Sequence, residues 1–532
     1  MCRLSMTSAL SEDERIILTM TIQPSPEAKG QGRLLGVILL AFIGIQTALL
    51  ARGLYQIRRL RALERLYGCE KLSDESDNFR YDFFGFLKAI KLATHFRQRT
   101  SLLYTNSLFR RYGETYASNV LCHRLIFTCS AENIKHMLST AFADFDSSPL
   151  RKPLFEPITP HGIFTLDGTD WKISREQLRN RLSDLRKAVD LGVCEQHFQA
   201  FLQHVPPNGQ VFDVQRCTSA LSLDMQTRFS LGESVDALSF TQSQEKKQFV
   251  DDLDVVKERI VRDGFRGPLR HLAPKRAFHQ SCSRARNYVM ACARREVEGR
   301  SSRVEKTKDA RIGTDFNNNF EELSQFADQA MSILLANDSM STILSGLFYC
   351  LSQDERIVQK LRASIIEAIG LTPPTWDQLG MLHYVRWVLH EDCKVMRVFP
   401  AVVFNARVAN KHSIMPNGGG ADGQSPALVR KGDIVVFSTW ARHRLGEDFG
   451  ENPENFHPER WERLKGDIPG FIPFNKGPRI CPGQQYAMIV LTYIVARIFQ
   501  TFSTVSNYNT KDWTEKISMT FENENGVLVG LS

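Results

Sequence analysis

The stretch FNKGPRICPG, residues 474–483, places one cysteine among two glycines, two prolines, a lysine and an arginine. Glycine and proline fix tight backbone turns, so the chain can fold closely around the sulfur of Cys481. A cysteine must be deprotonated to bind a metal, and its pKa is ordinarily about 8.5. Backbone N–H groups that point at the sulfur temper the charge of the thiolate. The composition of the stretch alone fits either a buried cysteine in a tight loop or a cysteine that ligates a metal.

Five residues of this stretch occupy the fixed positions of the pattern F-x-x-G-x-R-x-C-x-G. They are Phe474, Gly477, Arg479, Cys481 and Gly483. The pattern resembles the haem-binding loop of the cytochrome P450 family. The resemblance implies that Cys481 is the axial thiolate ligand of haem b, that Arg479 meets a haem propionate, and that Gly483 leaves room for the next helix to start against the porphyrin; Phe474 and Gly477 complete the loop. For a lone cysteine in a loop of glycine and proline, a buried structural role would be the ordinary interpretation. Five matches at fixed spacing argue against that interpretation here.

A second match lies far upstream, in GIFTLDGTDWKISREQLRNRLS, residues 162–183. Trp171 and Arg175 stand there in the W-x-x-x-R pattern of the family's C helix. A spacing of four puts both side chains on one helical face. The resemblance implies that the indole N–H and the guanidinium hold a haem propionate.

The segment LANDSM, residues 335–340, aligns with the family's oxygen-activating segment Ala/Gly-Gly-x-Asp/Glu-Thr-Thr. Asp338 keeps the acid, Ala336 replaces the glycine and Ser339 replaces the first threonine. That site needs a kinked helix and a hydroxyl that passes protons to dioxygen, so the resemblance implies a proton-relay role for Asp338 and Ser339. The alternative is that the Ser339 hydroxyl only bonds back to its own helix.

The family's structural ion pairs are altered in this sequence. FHPERW, residues 456–461, resembles the P-E-R segment, and Arg460 resembles the arginine that locks onto the K helix. That helix normally carries E-x-x-R, but here Glu391 and Arg397 are separated by three extra residues, 392–394. At six positions apart they lie about 240° around a helix and cannot pair as i,i+3 neighbours do.

Three interpretations of this departure stay open. Lys394 could substitute as the partner of Glu391, although lysine lacks the bidentate fork of arginine. The chain could absorb the extra residues as a bulge. Alternatively, the gene model includes a short stretch that the mature message lacks.

Further stretches, among them YGCE, ENIKHMLST, NGGGADGQSP and FHPERWE, are similar to fungal alkane- and fatty-acid-hydroxylating cytochromes P450, from about residue 67 onward. The resemblance implies a mainly α fold with a smaller β part, the triangular helical prism of the family. It also implies electrons from NADPH–cytochrome P450 reductase and oxygen insertion into a hydrophobic substrate, either lipid-like or a fungal secondary metabolite. A haem-thiolate isomerase or dehydratase that does not use dioxygen, and an inactive family member, are the alternatives.

Residues 34–51, LLGVILLAFIGIQTALLA, form an uncharged apolar run that would span about 27 Å as a helix. Five arginines follow within residues 52–65, against one glutamate. The positive-inside rule therefore predicts a single-pass membrane anchor with the bulk of the chain in the cytosol. The resemblance to membrane-bound cytochromes P450 implies that this membrane is the endoplasmic reticulum. A cleaved signal peptide is disfavoured by the length and late start of the run. A buried core helix is the other alternative.

Composition excludes several other classes of protein. Lys+Arg 67 against Asp+Glu 59 gives +8, which suits a membrane surface or an acidic partner protein but is weak support for nucleic acid, and no nucleic acid partner is expected. The 11 cysteines are scattered singly with no CxxC pair. This pattern argues against disulfides and structural zinc, and it fits a reducing compartment.

The chain reads as four segments: a head at 1–33, the anchor at 34–51, a basic and polar linker at 52–79 and the catalytic domain at 80–532. Helical periodicity is clear over 250–265, 284–299 and 320–352, and the last reads as a helix that crosses the interior. Short β-like runs lie at 120–129, 433–439 and 526–531.

Two other motifs resemble functional sites but favour plain structural roles. GGGADG, residues 418–423, fits G-x-G-x-x-G but no helix follows, so a turn between strands is favoured. His197 and His204 lie seven apart without a carboxylate or cysteine partner nearby, which favours solvated or core residues over a metal site.

Overall fold

The computed structural model describes residues 26–75, 82, 84–301, 320–391, 394–445, 447–450, 453, 456–459 and 468–532. The chain divides into two compact units, Met1–Cys69 and Glu70–Ser532.

In the first unit, the described residues form one long helix, α1 (Pro26–Leu66). Its part Leu40–Leu66 is long and apolar enough to cross a membrane by length and composition. The large apolar side chains from Leu40 to Ile57 are largely exposed. The helix continues through the arginine-rich residues 52–66 because arginine, leucine and alanine are strong helix formers and no proline interrupts them.

The second unit is mainly helical, as the sequence predicts. Its helices are α2 (Phe86–Arg97), α3 (Ser101–Tyr112), α4 (Ala131–Lys135), α5 (Ser148–Phe155), α6 (Gly168–Arg181), α7 (Leu185–Ala188), α8 (Leu191–Leu202), α9 (Val214–Leu231), α10 (Gln244–Arg266), α11 (Arg276–Ser301), α12 (Phe320–Leu335), α13 (Asp338–Leu351), α14 (Glu355–Ile369), α15 (Trp376–Leu379), α16 (His383–Arg386), α17 (Lys394–Val398), α18 (Thr439–Leu445) and α19 (Gln484–Thr501). Two π-helical turns, His136–Thr140 and Trp387–Glu391, extend α4 and α16.

The smaller β part consists of short strands. They are β1 (Ser73–Asp74), β2 (Thr115–Val120), β3 (His123–Thr128), β4 (Phe145–Asp146), β5 (Phe212–Asp213), β6 (Phe404–Ala409), β7 (Ser413–Gly419), β8 (Ser425–Val429), β9 (Ile434–Ser438), β10 (Val505–Asn507), β11 (Glu515–Ile517), β12 (Phe521–Asn523) and β13 (Leu528–Leu531). The main sheet has the order β1-β2-β3-β9-β6-β4, with β3 parallel to β9 and antiparallel to β2. Strands β10, β13 and β5 form a second sheet, and β7–β8 and β11–β12 are hairpins.

The predicted strands and the glycine-rich motif can be compared directly with these elements. The run 120–129 contains β3 and the turn before it. The run does not form one strand throughout, because Leu121 and Cys122 adopt left-handed φ values and reverse the chain. The runs 433–439 and 526–531 contain β9 and β13. The motif at 418–423 is the turn of the β7–β8 hairpin, so the prediction of a turn between strands is confirmed.

The core is built around the central helix pair α12–α13 and the helix α19. Both α13 and α19 are apolar on most sides and are buried along almost their whole length, as helices inside a large domain must be. One hydrophobic cluster joins α13, α14 and α19, and a second joins α10, α11 and α12. The loop 474–483 leads directly into α19, so the core fixes the position at which Cys481 is presented.

Candidate active site

The loop before α19 folds its backbone tightly around Cys481. The N–H of Cys481 donates to the carbonyl of Phe474 (2.9 Å), and the N–H of Ile480 donates to that of Gly477 (3.0 Å). Asn475 and Gly477 have φ values of 69° and 68°, in the left-handed region that glycine and asparagine tolerate. The glycines and the asparagine therefore permit a closed turn that ends at the cysteine.

Gly477 is held against the backbone of another part of the chain. A Cβ atom at this position would lie 1.9 Å from the carbonyl oxygen of Leu138, which belongs to the π-helical turn His136–Thr140. No side chain fits at that distance, and φ is also positive. Glycine is thus required here both by contact and by conformation.

The environment of Cys481 combines accessibility with enclosure. The residue is exposed, yet surrounding protein atoms disfavour charge, and this burial raises the pKa of the thiol. A hydrogen bond from the backbone N–H of Gly483 and the charge of Arg175 both lower that pKa. An accessible side chain that protein atoms enclose lies in the wall of an internal space. Both groups that favour the thiolate are positioned before any metal binds.

Helix α6 brings Trp171 and Arg175 to this loop. The Arg175 Nη2–H donates to the carbonyl of Ile480 at 2.6 Å, next to the cysteine. The guanidinium carbon of Arg479 lies 4.3 Å from the centre of the Trp171 ring, and that of Arg175 lies 5.7 Å from it. Trp171 is only 4% exposed. The structure therefore assembles the residues predicted from two distant motifs.

Two further arginines lie in the same region, and the sequence analysis missed both. Arg151 on α5 donates to Asn405 Oδ1 at 2.9 Å, and Arg407 on β6 donates to the same oxygen at 3.0 Å. Arg479 forms an ion pair with Asp167, whose carboxylate also accepts the backbone N–H of Ser147 at 3.0 Å. One signal was present in the sequence, since Arg407 is the only charged residue of β6.

This cluster carries more positive than negative charge. Burial lowers the pKa of Arg151 to about 10 and lowers that of Arg407 well below its usual value; the charge of Arg479 lowers both further. Burial also lowers the pKa of Arg479, while Asp167 and Asp146 raise it. Arg151, Arg407 and Arg479 interact with Asp167, and the charge of Arg175 lowers the pKa of Arg479 further. An excess of positive charge in this region suits an anionic partner.

The predicted oxygen-activating segment coincides with a break in the central helix. Helix α12 ends at Leu335 and α13 begins at Asp338. Ile333, Ala336 and Ser339, which recur every third residue, are half-buried, as is Asp338, while the other residues of 331–340 are buried. This line of the helix therefore faces an open space. The Ser339 hydroxyl forms no hydrogen bond with any described residue, so the alternative in which it bonds back to its helix is not observed.

Comparison with known proteins gives the identity of this fold and site. The family model for Cytochrome P450 matches residues 83–527. The chain belongs to the cytochrome P450 family. Cytochrome P450 monooxygenase himC from Aspergillus japonicus is 32% identical over 476 residues, which cover 87% of this chain and 84% of the relative. Cytochrome P450 52A5 from Candida maltosa is 33% identical over 420 residues, which cover 74% and 77%. The predicted resemblance to fungal members of the family is confirmed, and this P450 is a monooxygenase.

The described residues fit the haem that a P450 carries. The Cys481 sulfur lies in the wall of an open space, and a Cβ atom on Gly483 would meet nothing within 4 Å. The arginine cluster carries more positive than negative charge, which suits the anionic haem propionates. Cys481 would therefore hold the iron, and the four arginines with Trp171 would hold the propionates. When bound, a thiolate-ligated haem supplies the activation of dioxygen for oxygen insertion.

The described residues on either side of 392–393 in the K-helix region form an irregular helix. A π-helical turn covers Trp387–Glu391, and the short helix α17 follows from Lys394. A π-turn holds more residues per turn than an α-helix, which is one way to accommodate an insertion as a bulge. The Glu391 side chain and residues 392–393 lie outside the described parts, so the Glu391–Arg397 pairing stays a prediction.

Arg397 is buried, and its surroundings are described. Its Nη1–H donates to the backbone carbonyl of His443 at 2.9 Å, and its guanidinium lies 5.2 Å from the ring centre of Phe449. The His443 ring accepts the N–H of Ile472 at Nε2, while Nδ1 lies 3.1 Å from the Arg397 carbonyl. Burial and the neighbouring arginines lower the pKa of His443 well below its usual value, so the ring is neutral. Arg397 therefore connects α17 to α18, and His443 connects α18 to the segment before the cysteine loop.

Arg460 of the predicted P-E-R segment lies outside the described residues. Its neighbour Glu459 is described, and its carboxylate accepts from Arg356 (3.1 Å), Lys360 (2.9 Å) and the Tyr384 hydroxyl (3.2 Å). This segment therefore contacts α14 and α16 through the glutamate.

Proposed function

We propose that this P450 is membrane-anchored and hydroxylates, or further oxidises, a hydrophobic substrate that partitions into the bilayer. The substrate is lipid-like or a fungal secondary metabolite, and the electrons come from NADPH–cytochrome P450 reductase at the endoplasmic reticulum. The observation that carries the proposal is the exposed apolar length of α1, Leu40–Leu66, on a chain of this family. A protein fixed to the bilayer meets substrates that dissolve in it.

A second apolar surface, on the P450 domain itself, supports membrane attachment. We name it the apolar patch; its exposed side chains are Phe84, Phe86, Leu87, Ile90, Phe265, Leu269 and Leu272. The patch is continuous because Phe96 of α2 contacts Phe265 of α10, with ring centres 4.0 Å apart. The turn at Cys122, whose N–H donates to the Phe84 carbonyl at 2.8 Å, closes the same corner. Contiguous exposed apolar residues are typical of a surface that contacts a membrane.

Positive charge near the cysteine loop supports an acidic electron donor. Helix α6, which contacts the loop through Arg175, also presents exposed Lys172 and Arg179. Arg186 and Lys187 also lie exposed on α7, where they form ion pairs with Asp377 and Asp184, so the net positive charge comes mainly from α6. A basic surface at this place would steer a negatively charged reductase toward the haem by electrostatic attraction.

The direct test is expression of the full chain with a fungal reductase in yeast, followed by comparison of lipid extracts. We expect oxidised products that depend on the chain and are absent when it carries Cys481→Ser. Production of the same compounds by the Cys481→Ser protein would contradict the proposal. Isomerised or dehydrated products whose formation does not consume dioxygen would instead favour an isomerase or dehydratase.

Deleting residues 1–66 is expected to convert a firmly bound protein into one that salt or mild alkali releases from microsomes. The physical reason is that a spanning helix anchors almost irreversibly, whereas a surface patch binds weakly and reversibly. Sedimentation of microsomes after a high-salt wash measures the change, with haem content as the control for folding.

The apolar patch gives this experiment its second arm. Adding Phe86→Ser and Leu272→Ser to the deleted protein should remove the remaining membrane binding. If the protein without residues 1–66 resists high salt as firmly as the full chain, α1 is not the principal anchor.

Ser339→Ala is expected to lower product formation and raise the release of hydrogen peroxide while substrate still binds. Alanine removes the hydroxyl with little change in volume, and loss of a proton-transfer group commonly costs ~10²-fold or more in rate. The measurements are product and peroxide formed per NADPH, with substrate binding followed by the haem spectrum. Unchanged product per NADPH would count against a proton-relay role for Ser339.

A further inference from the structure

Asn337 lies at the break between α12 and α13 and is held from two sides. The backbone there bonds in three-residue steps, from Asn337 N–H to the Leu334 carbonyl (3.3 Å) and from Ser339 N–H to the Ala336 carbonyl (3.3 Å). On one side, the Ser222 hydroxyl of α9 donates to the Asn337 carbonyl at 2.6 Å. The break is therefore supported by a neighbouring helix.

On the other side, α10 contributes a single ammonium group. The Lys257 Nζ–H donates to Asn337 Oδ1 at 2.5 Å and to Asp338 Oδ1 at 2.9 Å. The side chains of Lys257 and Asp338 are only 9% and 14% exposed. One lysine thus bridges the last residue of the break and the first residue of α13.

A mostly buried ion pair of this kind fixes geometry strongly. Removing one partner leaves the other charge with little solvent to stabilise it, so the remaining group must move or find a new partner. If Lys257 lost its charge, the Asp338 carboxylate would have to turn toward solvent. The break would also lose its contact with α10 through Asn337, and Ser339 lies in the first turn after that break.

We infer that Lys257 is a positioning residue for the proton-delivery pair Asp338 and Ser339. It acts by pinning the helix break through Asn337 and by holding the Asp338 carboxylate in one direction. The inference rests on the roles proposed for Asp338 and Ser339, but the pinning of the break does not. Lysine at this place in α10 is required for its charge and its reach rather than for packing.

The test compares Lys257→Met with Lys257→Arg in the haem-loaded full chain. Methionine keeps an unbranched apolar stem of similar length and removes the charge, whereas arginine keeps the charge. In Lys257→Met we expect substrate binding to persist and product per NADPH to fall by about tenfold, less than direct loss of a proton donor costs, because Lys257 acts through Asp338. Lys257→Arg should restore most of the yield.

A second readout does not depend on catalysis. Hydrogen–deuterium exchange of the backbone amides of residues 336–341 should become several-fold faster in Lys257→Met and stay near the original rate in Lys257→Arg. The matched control is Lys246→Met. Lys246 is also on α10, and it forms an ion pair with Asp236, which precedes the helix and is not part of the break. The Lys246→Met substitution should change neither readout. Should methionine reduce haem content, Lys257→Gln gives the same comparison with a polar side chain.

The outcomes separate this inference from the proposed function. Unchanged exchange together with unchanged product per NADPH in Lys257→Met would overturn the inference. So would a loss of yield that arginine does not restore or that Lys246→Met reproduces. Faster local exchange with lowered yield, rescued by arginine, supports it. If the original chain oxidises no hydrophobic substrate, the proposed function fails, while the exchange data still decide whether Lys257 pins the break.

Discussion

Cys481→Ser is expected to abolish the red-shifted Soret band that a thiolate ligand gives to the reduced, carbon monoxide-bound haem, and to abolish product formation. The serine hydroxyl is far less acidic than a thiol and is a hard ligand, so it cannot replace the soft thiolate on iron. The loop itself should persist, because the bond from the Cys481 N–H to the Phe474 carbonyl does not involve the side chain. The measurement is the difference spectrum together with total haem content.

Cys122→Ser is the matched control for this change. Cys122 is also an exposed free cysteine, but it lies in the turn between β2 and β3. The Cys122→Ser substitution should leave the Soret band and product formation unchanged. A thiolate-type band that survives in Cys481→Ser would refute the assignment of the iron ligand.

Gly477→Ala is expected to have the second largest effect, loss of most of the bound haem. Adopting a left-handed φ costs alanine about 1–2 kcal/mol, and forcing a methyl group into a filled site costs about 1–3 kcal/mol more. The obstacle here is the backbone carbonyl of Leu138, at 1.9 Å from the new Cβ atom, and backbone cannot rotate away as a side chain can. The loop must therefore shift, and Cys481 shifts with it.

The effect of contact can be separated from the effect of conformation. Gly432, in the turn before β9, also has a positive φ of 90°, but a Cβ atom there would meet nothing within 4 Å. Gly432→Ala should thus lower the melting temperature slightly and leave haem content unchanged. If Gly477→Ala behaves like Gly432→Ala in both measurements, the cysteine loop does not depend on its contact with the turn His136–Thr140.

Much of this protein was predictable from short stretches of sequence. The cysteine loop, the α6 motif and the apolar run from residue 34 were recognisable because each depends on spacing within one local element. The glycines and prolines of FNKGPRICPG favour one tight loop around the cysteine, and this preference does not depend on residues elsewhere in the chain. The mainly helical class follows in the same way from local periodicity.

Other parts of the candidate site depend on contacts between distant segments. Arg151 and Arg407 join Arg479 only because α5 and β6 meet beside the cysteine loop, and each arginine alone reads as a surface charge. The helix break at Ala336 and Asn337 lies in a stretch that reads as one continuous helix from 320 to 352. Hydrogen bonds from Ser222 of α9 and Lys257 of α10 support this break. Both partners are far from Asn337 in the chain, so no local sequence pattern predicts these bonds.

The sequence by itself determined the family, the loop around Cys481 and the main secondary structure, because these depend on residues close together in the chain. Only the tertiary structure decided which charges share a buried space. It placed Lys257 on Asp338 and gathered Arg151, Arg407 and Arg479 around Asp167. The physical reason is that a buried charge is stabilised by whichever groups the packing of the core brings within a few ångströms, wherever they stand in the chain.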